Sequence, residues 1–540
     1  MKNQILLGLV LGLALYTCAF KKEADKVKEI DILLSKLEKL NKFNGTVLIA
    51  QGNEAILEKG YGFRDVEKKK ANNPNSIFQI YSITKTFTST LIFKLIEEKK
   101  IKLEDKLSKF YPNFPNGDKI TIEHLLTHTS GINDNANQPN APETEAYRVE
   151  LFGKKPPHFA PGEGWSYCNG GYQLLGYIIA KVTKMPYENA IKAYIFKPLA
   201  MSNSGFDFKG LRSAEKTTAY QIFTNEIKKT AVLYDSTGPY AAGSIYSTVA
   251  DLYKYYQGLK KHEIISQESL EKAFSPKTNP NYGYGWQLNT GFFKSKIVSH
   301  SGGAAGFRSN FTWIPSEEIC IILLNNHENA NLDYISQKIM DILHNKLAEL
   351  PNEAIISVKA LEKYVGAYAF KEQNLMIYTS IVDGRLALEL AGQGKTTVLA
   401  QSENTFYQAE VDAHLEFQKD KSNNYQLIIK QGWGKMVGSK TESSWGLLGS
   451  ATAKGWEDNT PDIKLKLDKR KKGRWVLNDI RLKKGEIKFR LDNNWNINYG
   501  DNNGDKLLDL HGKNIPVEEG KYDIMLDFSS ENPDYELIKK

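Results

Sequence analysis

Ser82-Ile83-Thr84-Lys85 opens a stretch in which Phe87, Leu91, Ile92, Leu95 and Ile96 recur at helical spacing. The sequence therefore places a serine and a lysine on one face at the start of an amphipathic helix. A serine hydroxyl is a weak nucleophile until a neighbour takes its proton. A lysine amine can do so only when largely neutral, which burial and the positive end of the helix dipole both favour. By itself the motif is uninformative, because Ser213-Ala214-Glu215-Lys216 and Ser269-Leu270-Glu271-Lys272 repeat it. In both copies a glutamate stands ready to pair with the lysine, and neither copy has the further elements in order after it.

The second element is Tyr167-Cys168-Asn169, inside the turn-rich run Pro161-Gly162-Glu163-Gly164-Trp165-Ser166 and the Gly170-Gly171-Tyr172 that follows. A phenol held near cations can act as general acid or base. An asparagine two residues on can donate to and accept from a bound amide. Tyr111-Pro112-Asn113 and Tyr187-Glu188-Asn189 share that spacing. The third element, His300-Ser301-Gly302-Gly303, follows the strand-like Lys296-Ile297-Val298-Ser299 and holds the one His-x-Gly of the chain. Small residues on an edge strand let a substrate backbone lie close, and the amides of Gly303 and Ser82 can together form an oxyanion hole.

In this order the three elements resemble the motif set of serine penicillin-binding proteins, class C β-lactamases and related esterases and peptidases. Gly45-Thr46-Val47, the run from Ile122 to Ile132, Gly171-Tyr172-Gln173-Leu174-Leu175-Gly176 and Tyr282-Gly283-Tyr284-Gly285-Trp286 are similar to the same family. The resemblance implies an α/β domain, with an antiparallel sheet flanked by helices, a helical subdomain and the active site between them. It further implies that Ser82 is acylated, that Lys85 and Tyr167 move protons with either as the base, and that Asn169, His300, Ser301, Gly302 and Gly303 meet the substrate. β-Lactamases of this type usually carry Lys-Thr-Gly where His300-Ser301-Gly302 stands. A neutral imidazole anchors a carboxylate less well than an ammonium does. His-x-Gly is familiar among the family's D,D-peptidases, D-aminopeptidases and esterases. The expected function is thus an exported serine hydrolase acting on an amide or ester through an acyl-Ser82 intermediate. The alternatives are a β-lactam-acylated sensor or slow β-lactamase, and a non-catalytic peptide- or glycan-binding envelope protein. Cys168 is expected to be a small buried filler. His124 and His128 can share a helix face, but His-Glu-x-x-His and a third ligand are lacking, so no metal or other cofactor is expected.

At 540 residues the chain exceeds a single core. With 41% hydrophobic and 25% charged residues it is ordinary globular material. A net charge of +8 gives only a weak preference for anions. The run Lys469-Arg470-Lys471-Lys472-Gly473 is explained by a solvated turn between strands, so nucleic acid is not an expected partner. Residues 1–20 have the make-up of an export signal: Lys2, an apolar run from Ile5 to Tyr16, then Cys18. That run is too short to cross a bilayer. Leu15-Tyr16-Thr17-Cys18 resembles a lipobox, which would acylate Cys18 and tether a periplasmic or outer-membrane lipoprotein. Thr17-Cys18-Ala19 fits a signal peptidase I site instead. Of three cysteines, Cys168 and Cys320 then remain, too few for a disulfide framework or a thiolate zinc site.

The hydrolase domain is assigned to residues 25–347, followed by a linker at Glu349–Glu353. Two small all-β domains come next, a barrel-like one over 358–440 and a β-sandwich over 443–540, both marked by short strands separated by turn residues. Trp445-Gly446-Leu447-Leu448-Gly449, Trp495-Asn496-Ile497-Asn498-Tyr499-Gly500 and Gly520-Lys521-Tyr522-Asp523-Ile524 resemble the modules of the SusE and SusF starch-binding lipoproteins. That resemblance implies a polysaccharide partner, with Trp456, Trp495 or Tyr499 as a glycan platform; the competing reading makes all three core or turn residues.

Overall fold

The computed structural model describes residues 24–134, 142–224, 227–290, 295–346, 354–370, 375–382, 384–390, 395–408, 413–431, 434–442, 444–457, 461–468, 471, 474–528 and 533–540. The export segment with Cys18, the Glu349–Pro351 part of the linker with Asn352 and Glu353, and most of the basic run at 469–473 lie outside them. The chain divides into two compact units, Met1–Leu350 and Pro351–Lys540.

The first unit is built on a six-stranded antiparallel sheet of β1 (Gly45–Gln51), β2 (Glu54–Tyr61), β3 (Gln287–Thr290), β4 (Lys296–Ala304), β5 (Phe307–Ile314) and β6 (Ile319–Asn325), in the order β2-β1-β6-β5-β4-β3. β1 and β6 are apolar without alternation and buried along almost their whole length, as central strands covered on both faces must be. Towards the edge the pattern alternates. Phe311 and Trp313 of β5 meet Tyr255 and Tyr256 of helix Val249–Lys260, while Thr312 between them turns to Ser336 of helix Leu332–Leu343 on the other face. The helix Leu332–Leu343 closes the domain assigned to residues 25–347.

Three more helices place the site: α1 (Thr84–Glu97), α2 (Ile122–Leu126) and α3 (Asn169–Thr183); Val249–Lys260 is α4 and Leu332–Leu343 is α5. α1 is buried on nearly every side, which its run of threonines and serines would forbid without partners. Each hydroxyl finds one: Thr88 with Tyr187 and the Ala241 carbonyl, Ser89 with the Tyr284 carbonyl, Thr90 with Tyr255. α3 packs on α1 and α2 to form the helical subdomain.

The second unit is all β. A nine-stranded antiparallel sheet runs from Gly366 to Thr441 over a core that includes Tyr368, Phe370, Phe417 and Leu427. Beyond Trp445, a six-stranded and a four-stranded sheet face each other across Leu447, Ile487, Phe489, Ile524 and Leu526. Tyr378 of the first sheet packs on this second core and donates to Asp492 at 3.0 Å, so the two cores share one unit.

Candidate active site

Tyr81 has φ of +44°, a left-handed conformation uncommon for a bulky residue, and it turns the chain sharply before Ser82. Ser82 lies in the short 3-10 turn Tyr81–Ile83, and α1 begins only at Thr84. A serine at a helix start ordinarily caps it. Here Ile83 holds the cap position and no side chain caps the helix, so the Ser82 hydroxyl serves other partners. Lys85 Nζ lies 3.1 Å from Ser82 Oγ, and the Tyr167 hydroxyl is hydrogen-bonded with Ser82 as well.

Lys85 is 0% exposed. Its other partners are Asn169 Oδ1 at 2.8 Å and the Ala242 carbonyl at 2.9 Å, both neutral acceptors. Burial pulls its pKa down to about 7, against the opposing pull of the Asp134 carboxylate. A neutral amine has two N–H groups and one lone pair. With the N–H groups given to Asn169 and Ala242, the lone pair faces Ser82. Burial pushes the Tyr167 phenol well up, with the Ser82 hydrogen bond acting the other way, so Tyr167 is a phenol and not a phenolate. Lys85 Nζ lies 4.8 Å from the Tyr167 ring centroid.

Cys168 proves to be more than a filler. Its Sγ caps α3 by accepting from Gly171 N at 3.3 Å, and its backbone N–H donates to His128 Nδ1 at 3.0 Å. Gly170 N donates to Asp134 Oδ2 at 2.8 Å. Together these bonds hold Asn169 at the first position of α3, facing Lys85. His124 closes a capping box with Thr121 at the start of α2. Among the described residues, no group of three histidine, cysteine or acidic side chains gathers to hold a metal.

β4 brings the third element against the Ser82 turn. A Cβ at Gly302 would collide with the Ile80 carbonyl oxygen and lie 2.8 Å from Ser82 N, so only glycine allows this approach. Gly303, the next residue, is exposed, and Ser301 is half-buried. His300 is sealed, at 1% exposure. Its Nδ1 meets the Ser301 carbonyl at 2.7 Å and its Nε2 meets Tyr282 Oη at 3.1 Å, which assigns the proton to Nδ1. Burial, with Lys85 nearby, lowers its pKa to about 3. The expected contact between this imidazole and substrate is therefore corrected: the ring positions Tyr282, and the motif exposes Ser301 and Gly303.

Sequence reasoning gave no site role to His128, Trp165 or Tyr282. The His128 ring is buried 4.4 Å from Tyr167 and 4.7 Å from Tyr282, and Tyr167, Tyr282 and Trp165 line a cleft of about 710 Å³. Their signal lay in the Ile122–Ile132, Pro161–Ser166 and Tyr282–Trp286 stretches, whose meeting is long-range. The other Ser-x-x-Lys copies make no such pair. Ser269 donates to Glu97, and Lys216 donates to the Lys209 carbonyl. Nor do their glutamates take up the expected lysines: Glu215 goes to Arg64 and Asn73, and Glu271 to Gln267.

In the second unit, Trp456 and Trp495 lie with ring centroids 6.3 Å apart at 33°, and Trp495 is 36% exposed. Arg490 lies 4.8 Å from the Trp495 ring and is held by Asp462 through bonds of 2.7 and 2.8 Å. Tyr499 does not belong to this pair. Its ring packs edge-on against Trp445 and Phe528 in the core, because a bulge between Arg490 and Leu491 shifts the register of its strand.

A serine and a sealed lysine one helical turn apart, joined by a tyrosine between an antiparallel sheet and a helical subdomain, define an active-site serine hydrolase of the β-lactamase-type α/β fold. Residues 35–343 match the model of the Beta-lactamase family. Penicillin-binding protein 4* of Bacillus subtilis is 30% identical over 426 residues, covering 73% of this chain and 94% of that protein. The octameric penicillin-binding protein homologue from Pyrococcus abyssi superimposes with a TM-score of 0.55 at 26% identity, covering 77% of this chain and 99% of that one. D-amino acid amidase from Ochrobactrum anthropi shares the fold, with a TM-score of 0.53 at 21% identity over 60% of this chain and 99% of its own. The chain belongs to the Beta-lactamase family of serine hydrolases.

The close approach at Gly302 gives a direct test. Gly302→Ala must push β4 off the Ser82 turn, and a misplacement on the order of 1 Å costs roughly 10²-fold in rate. A loss of that size in kcat/KM on a chromogenic ester is expected. Full activity in the variant would show that the approach does not matter.

Proposed function

We propose that the protein is an exported hydrolase that cleaves an amide or ester through an acyl-Ser82 intermediate, with Lys85 as the base and Tyr167 as the proton carrier to the leaving group. The observation that carries this reading is the lysine: sealed, bonded only to neutral acceptors in its described contacts, and with a pKa near 7. As Ser82 Oγ attacks the carbonyl carbon, its proton passes to the lone pair of Lys85. The developing oxyanion takes hydrogen bonds from the amides of Ser82 and Gly303. Tyr167, kept protonated by burial, gives its proton to the departing nitrogen or oxygen and is reprotonated by Lys85, which holds the proton taken from Ser82. Water then takes the place of the leaving group, and the same groups act in reverse to free Ser82. Asn169 holds Lys85 in place and borders the bound carbonyl. The neutral His300 supports an amidase, peptidase or esterase over an efficient β-lactamase, since it supplies no cation for a substrate carboxylate. The residue 1–20 segment is the basis for export, with Cys18 as the lipid anchor.

A second reading concerns the C-terminal module. Two neighbouring indoles, one stiffened by a buried guanidinium, suit stacking on pyranose rings, and we assign polysaccharide binding to Trp456 and Trp495.

Treatment with a fluorophosphonate and a fluorescent penicillin should modify the wild type at Ser82 and leave Ser82→Ala unlabelled in intact-mass spectra. A wild type that takes up neither probe would refute the hydrolase reading. The rate should also follow Lys85. Below its pKa the amine is protonated and cannot accept, so kcat/KM is expected to rise with pH through a limb near 7 and to level off above it; a pH-independent rate from 5 to 9 would remove Lys85 as the base. For the platform, the full chain should be retained on at least one member of a panel of insoluble polysaccharides. The Trp456→Ala/Trp495→Ala variant should pass through, and equal retention of both proteins would rule the pair out.

A further inference from the structure

The cleft beside Tyr167 continues past the third motif. Its walls are Gln287 and Asn289 of β3, Ile297 and Ser299 of β4, Asn310 and Thr312 of β5, and the inward face of α5. Among the described residues of that wall, Asp333 carries the one carboxyl and no lysine, arginine or histidine joins it, while the phenols of Tyr167 and Tyr282 are held protonated by burial. Asp333 is reached by solvent, yet enough protein surrounds it that burial pushes its carboxyl above the ordinary range, opposed only by the hydrogen bond from Asn310. Solvent contact together with that shift is what a carboxylate on the wall of a concave site shows.

The carboxylate is also oriented. Asn310 Nδ2 donates to Asp333 Oδ1 at 2.7 Å. Thr312 donates to Asn310 Oδ1 at 2.8 Å, so the amide can present only its NH₂ to Asp333, and Ser336 donates to Thr312 at 3.4 Å. Asn310, Thr312 and Ser336 are each 3% exposed or less. Three buried side chains therefore aim one carboxylate. In register, Asn310 lies directly across from Ser301 of the third motif, and Thr312 from Ser299. Cross-strand partners on one face are in side-chain contact. The acid is thus one hydrogen bond and one cross-strand step from the strand that borders the reacting serine.

We propose that Asp333, aimed by Asn310, is a subsite for a positively charged group, an ammonium or amidinium, carried on the leaving portion of the substrate. This rests on the acyl-Ser82 reading above. The leaving side is indicated because Tyr167, the proton carrier to the departing group, lines the same cleft as Asp333. The sealed, neutral His300 offers no cation, so the cleft carries a net negative charge that repels an anionic leaving group and attracts a cationic one.

The test uses the full chain and three thioesters of phenylacetic acid. Their leaving thiols are 4-(aminomethyl)thiophenol, 4-methylthiophenol and 4-(carboxymethyl)thiophenol, followed by thiol release. With the methyl compound as reference for each enzyme, the wild type should favour the cationic over the anionic thioester by about tenfold or more, the scale of one charge-assisted hydrogen bond. Asp333→Asn, close in shape, should collapse that ratio towards one, as should Asn310→Leu in part. A ratio unchanged in Asp333→Asn, with the methyl thioester still hydrolysed through Ser82, would overturn the subsite and leave the hydrolase reading standing. No hydrolysis of any of the three, with Ser82 unlabelled by the covalent probes, would overturn both.

Discussion

The structure depends on one buried amine. Removing a lysine from water is costly unless its charge is lost or its hydrogen bonds are replaced. Lys85 meets both conditions in part: three neutral acceptors surround it, and its pKa falls to near 7. Those acceptors come from three separate segments: the turn before α1, the first residue of α3, and the 3-10 turn Tyr240–Ala242. Sheet, helical subdomain and connecting loops must all be in place before the lysine is satisfied. The chemistry and the tertiary fold therefore constrain each other at a single atom.

The same economy explains features that look like flaws. Tyr81 adopts a conformation that costs a bulky residue on the order of 1–3 kcal/mol. The turn it makes keeps Ser82 out of the helix cap and half-exposed beside a fully sealed lysine. Gly302 gives up a side chain so that β4 can pass the same turn. Strain on one side and a missing Cβ on the other bring β4 at Gly302 into close contact with the Ser82 turn.

Much of this was legible in the chain. Spacing located α1 and the central strands, because helical periodicity and unbroken apolar runs are local properties, and the family resemblance of three motifs in order located the site. Rejection of the two decoy Ser-x-x-Lys copies also rested on order along the chain. What was not legible depends on contacts between distant segments. Cys168 looked like a filler because its capping bond and its tie to His128 exist only in the folded unit. Tyr499 stood beside Trp495 as a platform candidate on the module's resemblance and its aromatic type, and the irregular register of its strand and its packing on Trp445 and Phe528 exist only in the fold. Asp333 carried no sequence signal at all: an aspartate in the first turn of a helix is ordinarily explained by the helix dipole.

His300 shows how a correct direction can rest on an incomplete reason. From sequence, a histidine in place of lysine weakens carboxylate recognition because imidazole is mostly neutral at pH 7. In the fold, the ring is neutral because burial and Lys85 leave it no choice, and its nitrogens are already engaged by Ser301 and Tyr282. The third motif thus contributes backbone and shape, not charge. The sign of the cleft passes to whatever ionises on its wall, and the register that pairs Ser301 with Asn310 makes that residue Asp333. Selectivity in this site is then a property of strand pairing between β4 and β5 and of the packing of α5 upon them. Substitutions at those positions would redirect substrate choice while leaving the serine, the lysine and the tyrosine untouched.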